Sequence, residues 1–71
     1  MGQEIKAPIT GNVWKIVSSV GNEVAEFDTI MILESMKMEI PVEAPKNGKI
    51  VELKVSEGAS VIEGDVVAII E

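Results

Sequence analysis

The apolar positions of this chain fall in short runs, and glycine, proline or acidic turn residues interrupt each run before it reaches helical length. Ile50, Leu53 and Val55 cannot all lie on one face of a strand with a strict period of two, and Val13 with Ile16 shows the same mismatch. A bulge or sharp twist is therefore expected near residues 14–15 and 51–52. Val13, Ile16, Val17 and Val20 also make a helical stripe, but Gly21 stops it after barely two turns. The corresponding stretch KIVELKVSEG at 49–58 carries a load of β-branched residues that argues for a strand.

The pattern occurs twice. Residues 5–34 and 42–71 align without a gap at an offset of 37 and are identical at ten positions, among them Ala7/Ala44, Pro8/Pro45, Gly11/Gly48, Gly21/Gly58 and Asp28/Asp65. Apolar character is kept at Ile5/Val42, Val13/Ile50, Ile16/Leu53, Ile30/Val67 and Leu33/Ile70, so the chain reads as one domain, 1–71, built from a duplicated unit. Each unit has three turn sites: Ala-Pro-x-x-Gly, the neighbourhood of Gly21 or Gly58, and Glu26-Phe27-Asp28 or Glu63-Gly64-Asp65. At the first, proline fixes φ and glycine is expected to take a conformation closed to other residues. Three turns per unit give eight short strands with no crossover helix. The pattern leaves two outcomes open, two antiparallel sheets packed face to face or a flattened barrel, with approximate two-fold symmetry.

Composition narrows the chemistry. With neither cysteine nor histidine in 71 residues, the chain lacks a thiolate nucleophile, disulfides, the commonest metal ligand and the usual near-neutral acid–base group. Six lysines against twelve carboxylates, a net charge of −6, disfavour a nucleic-acid partner. The longest apolar run, Val66–Ile70, is too short for a membrane span, and Met1 to Ile5 does not resemble a leader, so a cytoplasmic location is expected. Asp28 and Asp65 recur at equivalent turns, where hydrogen bonds to the turn explain them without catalysis. Trp14 is expected to pack across a sheet face, with a place in a partner surface as the alternative.

One stretch escapes the strand logic. ILESMKMEIPV, residues 32–42, lies between the repeats and sets Lys37 between Met36 and Met38. With strands expected over 29–34 and 39–44, Ser35-Met36-Lys37-Met38 must reverse the chain. Having no glycine, asparagine or aspartate, it is expected to form a type I turn within a four-residue connection. Pro41 must then lie on an edge strand or at a bulge. Under the two-fold symmetry Lys37 stands at one end of the domain and the termini at the other. Two exposed methionines beside an amine make a handle for another protein, because methionine adapts to a partner's pocket. A lysine ammonium is a poor nucleophile, and Glu34 and Glu39 would hold its proton. Acylation thus needs an activated donor and a base from a separate enzyme.

With these features in view, the chain resembles the biotinyl/lipoyl carrier domain family over its full length, and within it the small free-standing attachment proteins. The family pattern of a glutamate, a small residue and Met-Lys-Met reads here Glu34-Ser35-Met36-Lys37-Met38. The resemblance implies an all-β barrel-sandwich hybrid, a flattened barrel of two four-stranded antiparallel sheets. It implies covalent biotin in amide linkage to Lys37, attached by a biotin–protein ligase that reads Glu34, Ser35, Met36, Met38 and Glu39. It further implies carboxyl transfer between a biotin carboxylase and a carboxyltransferase, the chain being a carrier and not an enzyme. Methionines on both sides of the lysine favour biotin, whereas Ser35 departs from the alanine usual in biotin carriers. That departure keeps lipoate and a lipoyl ligase as the alternative, alone or as a second cargo. An unmodified barrel-sandwich binding module is the third alternative. The gapless repeats leave no room for the protruding thumb of many acetyl-CoA carboxylase carriers, and no Ala/Pro-rich tether precedes the domain. A free carrier or carrier subunit is therefore expected.

Overall fold

The structure is a computed structural model and describes residues 2–71. The eight strands are β1 (Gln3–Lys6), β2 (Gly11–Ile16), β3 (Glu23–Val24), β4 (Thr29–Ser35), β5 (Met38–Glu43), β6 (Gly48–Leu53), β7 (Ser60–Val61) and β8 (Val66–Ile70). They form two four-stranded antiparallel sheets, ordered β1-β8-β6-β3 and β5-β4-β2-β7. Shifting by 37 residues carries the first order onto the second, since β1, β8, β6 and β3 correspond to β5, β4, β2 and β7. Each sheet is thus assembled from both halves of the chain, and neither half makes a sheet alone.

The backbone bonds repeat with the same offset. Val17 donates to the Ile30 carbonyl as Lys54 does to Val67, Ala7 donates to Asp65 as Ala44 does to Asp28, and Gly21 donates to Ile50 as Gly58 does to Val13. The core follows suit. Of its buried residues Ile5, Ala7, Val13, Ile30, Met31 and Leu33 have as counterparts Val42, Ala44, Ile50, Val67, Ala68 and Ile70. Register slips between Val13 and Lys15 and between Ile50 and Glu52, where the broken period of two required it. Each slip turns Trp14 or Val51 outward while Val13 or Ile50 stays in the core.

The flattened barrel, or barrel-sandwich hybrid, expected from the family resemblance is not what forms. The two sheets make an open sandwich in which β1 and β3 edge one sheet and β5 and β7 the other, and no ladder joins the sheets among the described residues. Closure requires a continuous, staggered ladder around the whole circumference. Edge strands β3 and β7 are two residues long and already spend their pairing on β6 and β2. Such short edges also offer little template for aggregation.

Gly11 and Gly48 differ from expectation as well. Neither has a positive φ; both lie within strands, where a Cβ would collide with the main chain of the neighbouring strand, at Glu34 and Glu71 respectively. Close approach, not turn geometry, selects glycine there.

The lysine hairpin as candidate functional site

Strands β4 and β5 pair in register from Met31↔Val42 through Leu33↔Ile40 and Glu34↔Glu39 to Ser35↔Met38. Only Met36 and Lys37 remain to reverse the chain. Both have positive φ, 51° and 65°, which is the signature of a primed two-residue turn. The four-residue type I connection expected from composition is therefore replaced by a tighter hairpin. The primed turn matches the right-handed twist of the flanking strands, and here that geometric demand overrides the poor fit of methionine and lysine to the left-handed region. Each pays about 1 kcal/mol or more of backbone strain, a cost typical of residues kept for what they present to a partner.

What this turn presents is plain from exposure. Met36 is 93% exposed and Met38 58%, whereas Met31 in the same hairpin is fully buried. Lys37 is exposed at the tip, and Ser35 is half-buried at the base. Among the described residues the only ion pair is Lys54–Glu52 at 3.1 Å, so no carboxylate holds the Lys37 ammonium. Glu34 and Glu39 pair with each other across the two strands and lie on the outer face of the sheet. The structure therefore brings Met36, Lys37 and Met38 together at the tip, with the two glutamates behind them as a like-charged pair.

Two supports were not apparent from sequence. Gly11 in β2 lets the Glu34 main chain approach closely, since a Cβ on it would lie 2.5 Å from the Glu34 carbonyl oxygen and 3.3 Å from Ser35 Cβ. Asn12 pairs with Glu34, and its side-chain amide oxygen accepts a 3.1 Å hydrogen bond from the Ser60 hydroxyl, which ties β7 to the hairpin base. Pro41, whose ring removes a donor, stands on edge strand β5 as its chemistry requires. The same sheet face carries Trp14, about half in solvent and so less covered than expected.

Comparison with known proteins decides the family. The family model described as "Biotin-requiring enzyme" matches residues 2–70. The chain belongs to that family. It is 42% identical over 62 residues to the biotin/lipoyl attachment protein of Bacillus subtilis, covering 87% of this chain and 85% of the relative. It is 39% identical over 70 residues to the biotinylated protein TB7.3 homolog of Mycobacterium leprae, covering 99% of each. Among solved structures, the urea carboxylase of Kluyveromyces lactis superposes with a TM-score of 0.94 at 37% identity; the match covers all of this chain but 6% of that one. As a member of this family the chain is a small biotin-carrier domain that does no catalysis of its own, homologous to the carrier domains of carboxylases. No helix of the described chain is long and apolar enough to cross a membrane.

Proposed function

We propose that Lys37 is the attachment point for biotin and that the loaded domain carries a carboxyl group from a biotin carboxylase to a carboxyltransferase, in the cytoplasm. The observation that carries this is the strained, solvent-exposed turn Met36-Lys37 at the end of a rigid hairpin, with an ammonium that no carboxylate holds. In the attachment step a biotin–protein ligase removes a proton from the ammonium. The free amine attacks the carbonyl of a biotinyl adenylate, an amide forms and adenylate leaves. Met36 and Met38 supply the adaptable apolar contact by which the ligase reads the turn, with Glu34, Ser35 and Glu39 behind them.

In carboxyl transfer the domain contributes position. The biotin arm is held at one tip of a stiff scaffold, so both enzymes meet it at a raised local concentration and it cannot fold back into the sandwich. A lipoyl cargo is the second reading, favoured by Ser35 and by the dual name of the Bacillus subtilis relative. Intact-mass measurement after separate incubation with a biotin ligase and a lipoyl ligase distinguishes them, with peptide mapping to locate the adduct. A biotinyl adduct on Lys37 that disappears in Lys37→Arg is expected. Absence of any biotinyl adduct on the wild-type chain would end the proposal.

A further inference from the structure

The two sheets have equivalent scaffolds and unlike outer faces. In the hairpin sheet Lys15 lies opposite Ile32 and Ile32 opposite Pro41, with Trp14 in the bulge beside Lys15. Burial along the strand runs Val13 in, Trp14 and Lys15 out, Ile16 partly in, Val17 out and Ser18 in. Trp14, Val17, Ile32 and Pro41 therefore form an apolar strip on the outside, Trp14 being 48% and Val17 51% exposed. At the equivalent positions the other sheet has Val51, Lys54, Ile69 and Glu4. The fold thus accepts an ammonium and a carboxylate where the hairpin sheet exposes valine and proline, and folding alone does not require the strip.

Its surroundings describe the occupant. Toward the hairpin lie Glu34 and Glu39, directly opposite each other, an arrangement that destabilises a ladder unless a cation answers it. Away from the hairpin lies exposed Glu43, opposite Thr29. None of the three is in an ion pair among the described residues. A centre that is apolar apart from the Lys15 ammonium, with a carboxylate rim, fits a partner with an apolar contact ringed by lysine or arginine and a carboxylate to meet Lys15. A second copy of this chain fits poorly, because a two-fold contact would set carboxylates against carboxylates on chains of net charge −6. Pro41 also blocks strand addition along β5. The strip is continuous with the turn: Pro41 is four residues beyond Lys37, about 13 Å along an extended strand. An enzyme that encloses the Lys37 side chain must lie over or beside it.

We propose that the outer face of the hairpin sheet, centred on Trp14, is the docking surface for the ligase that acylates Lys37. This rests on Lys37 being the acceptor. The test is steady-state biotinylation of the full chain by a biotin–protein ligase, with the unmodified chain as varied substrate. The variant Trp14→Val/Val17→Lys/Pro41→Glu installs on the hairpin sheet the residues of the other sheet, and Glu4→Ala/Lys54→Ala perturbs the opposite face. The triple variant is expected to raise KM about tenfold or more with kcat nearly unchanged, the scale of a lost interface anchor. The opposite-face variant is expected to leave KM unaltered, and added salt to raise the wild-type KM. Circular dichroism checks the fold, and Val17→Lys alone, at a half-exposed position, keeps the test open with an expected rise of about threefold. Unchanged KM in folded variants overturns the proposal. So does a raised KM confined to carboxylation of the pre-biotinylated chain, or a wild-type dimer that the triple variant dissociates in sedimentation equilibrium. A wild-type chain that accepts no biotin removes the acceptor reading itself, and that result is distinct from biotinylated variants with unaltered KM.

Discussion

Replacing Gly11 by alanine tests whether the hairpin is seated by close backbone approach. The new Cβ would lie 2.5 Å from the Glu34 carbonyl oxygen and 3.2 Å from its carbonyl carbon, so β2 and β4 must separate by roughly 1 Å to restore ordinary contact. The obstacle is main chain and cannot rotate away. The cost should sit in the upper part of the overpacking range, about 2–3 kcal/mol. For a 71-residue domain total stability is about 4–11 kcal/mol. Melting should then fall by about 10–20 °C. The scaffold provides its own control, because Gly48→Ala places a Cβ against the Glu71 carbonyl, at the equivalent position of the other sheet. Glu71 is tied to Lys49 by backbone hydrogen bonds of 2.7 and 2.9 Å, so that variant should lose a comparable amount of stability. Only Gly11→Ala displaces the base of the lysine turn, and at a temperature where both variants are folded it should lower kcat/KM for Lys37 acylation by about tenfold or more. Thermal melts by circular dichroism and ligase kinetics measure both effects. Melting of Gly11→Ala within about 2 °C of wild type would refute the argument. Equal acylation of the two variants would refute its second half.

Two further substitutions test the strained positions. Phe27 holds φ at 73° while 68% exposed, and its counterpart is Gly64, with the matching bonds Phe27 N–H to Ala44 and Gly64 N–H to Ala7 at 2.8 and 2.9 Å. Phe27→Gly should relieve about 1–2 kcal/mol of left-handed strain and return about 0.5–1 in chain entropy. A net gain that raises the melting temperature by a few degrees is expected, and a fall would contradict the strain assignment. Met36→Asn puts a residue suited to the left-handed region at the first turn position and removes a side chain that packs against almost nothing. Stability should rise by about 1 kcal/mol while kcat/KM for acylation falls by about tenfold, read by chemical denaturation and ligase kinetics. If both rise together, Met36 is not read by the ligase.

Most of the fold could be read from the residues because the chain states it twice. A gapless offset of 37, three turn sites per unit and two broken periods of two point to eight strands and to two of the four places where register shifts, whereas the shifts at Ile5/Lys6 and Thr29/Met31 leave no mark in the apolar pattern. What could not be read was how the sheets meet: local pattern reports which face of a strand is apolar, whereas closure depends on edge strands whose two-residue length follows from tertiary packing. The turn departs from the expected type I connection for a related reason. Its residues favour a type I connection, but the twist of β4 and β5 demands a primed one, and Met36 and Lys37 absorb the strain. The candidate lysine stands out by its company, two methionines that neither strand nor helix period explains and that the turn leaves 93% and 58% exposed. Its supports were not legible, because Gly11 looks like a turn glycine in sequence and the pairing of Asn12 with Glu34 depends on the register of β2 against β4. The duplication sorts paired positions in physical terms. Where paired positions agree, as at Gly11 and Gly48, the scaffold makes the same demand twice and the residue serves packing. Where they differ and the scaffold tolerates either, as at Trp14 and Val51 or Pro41 and Glu4, the difference serves something outside the fold. At these pairs the exposed apolar member stands on the sheet that carries Lys37, which is the ground for the docking face proposed there.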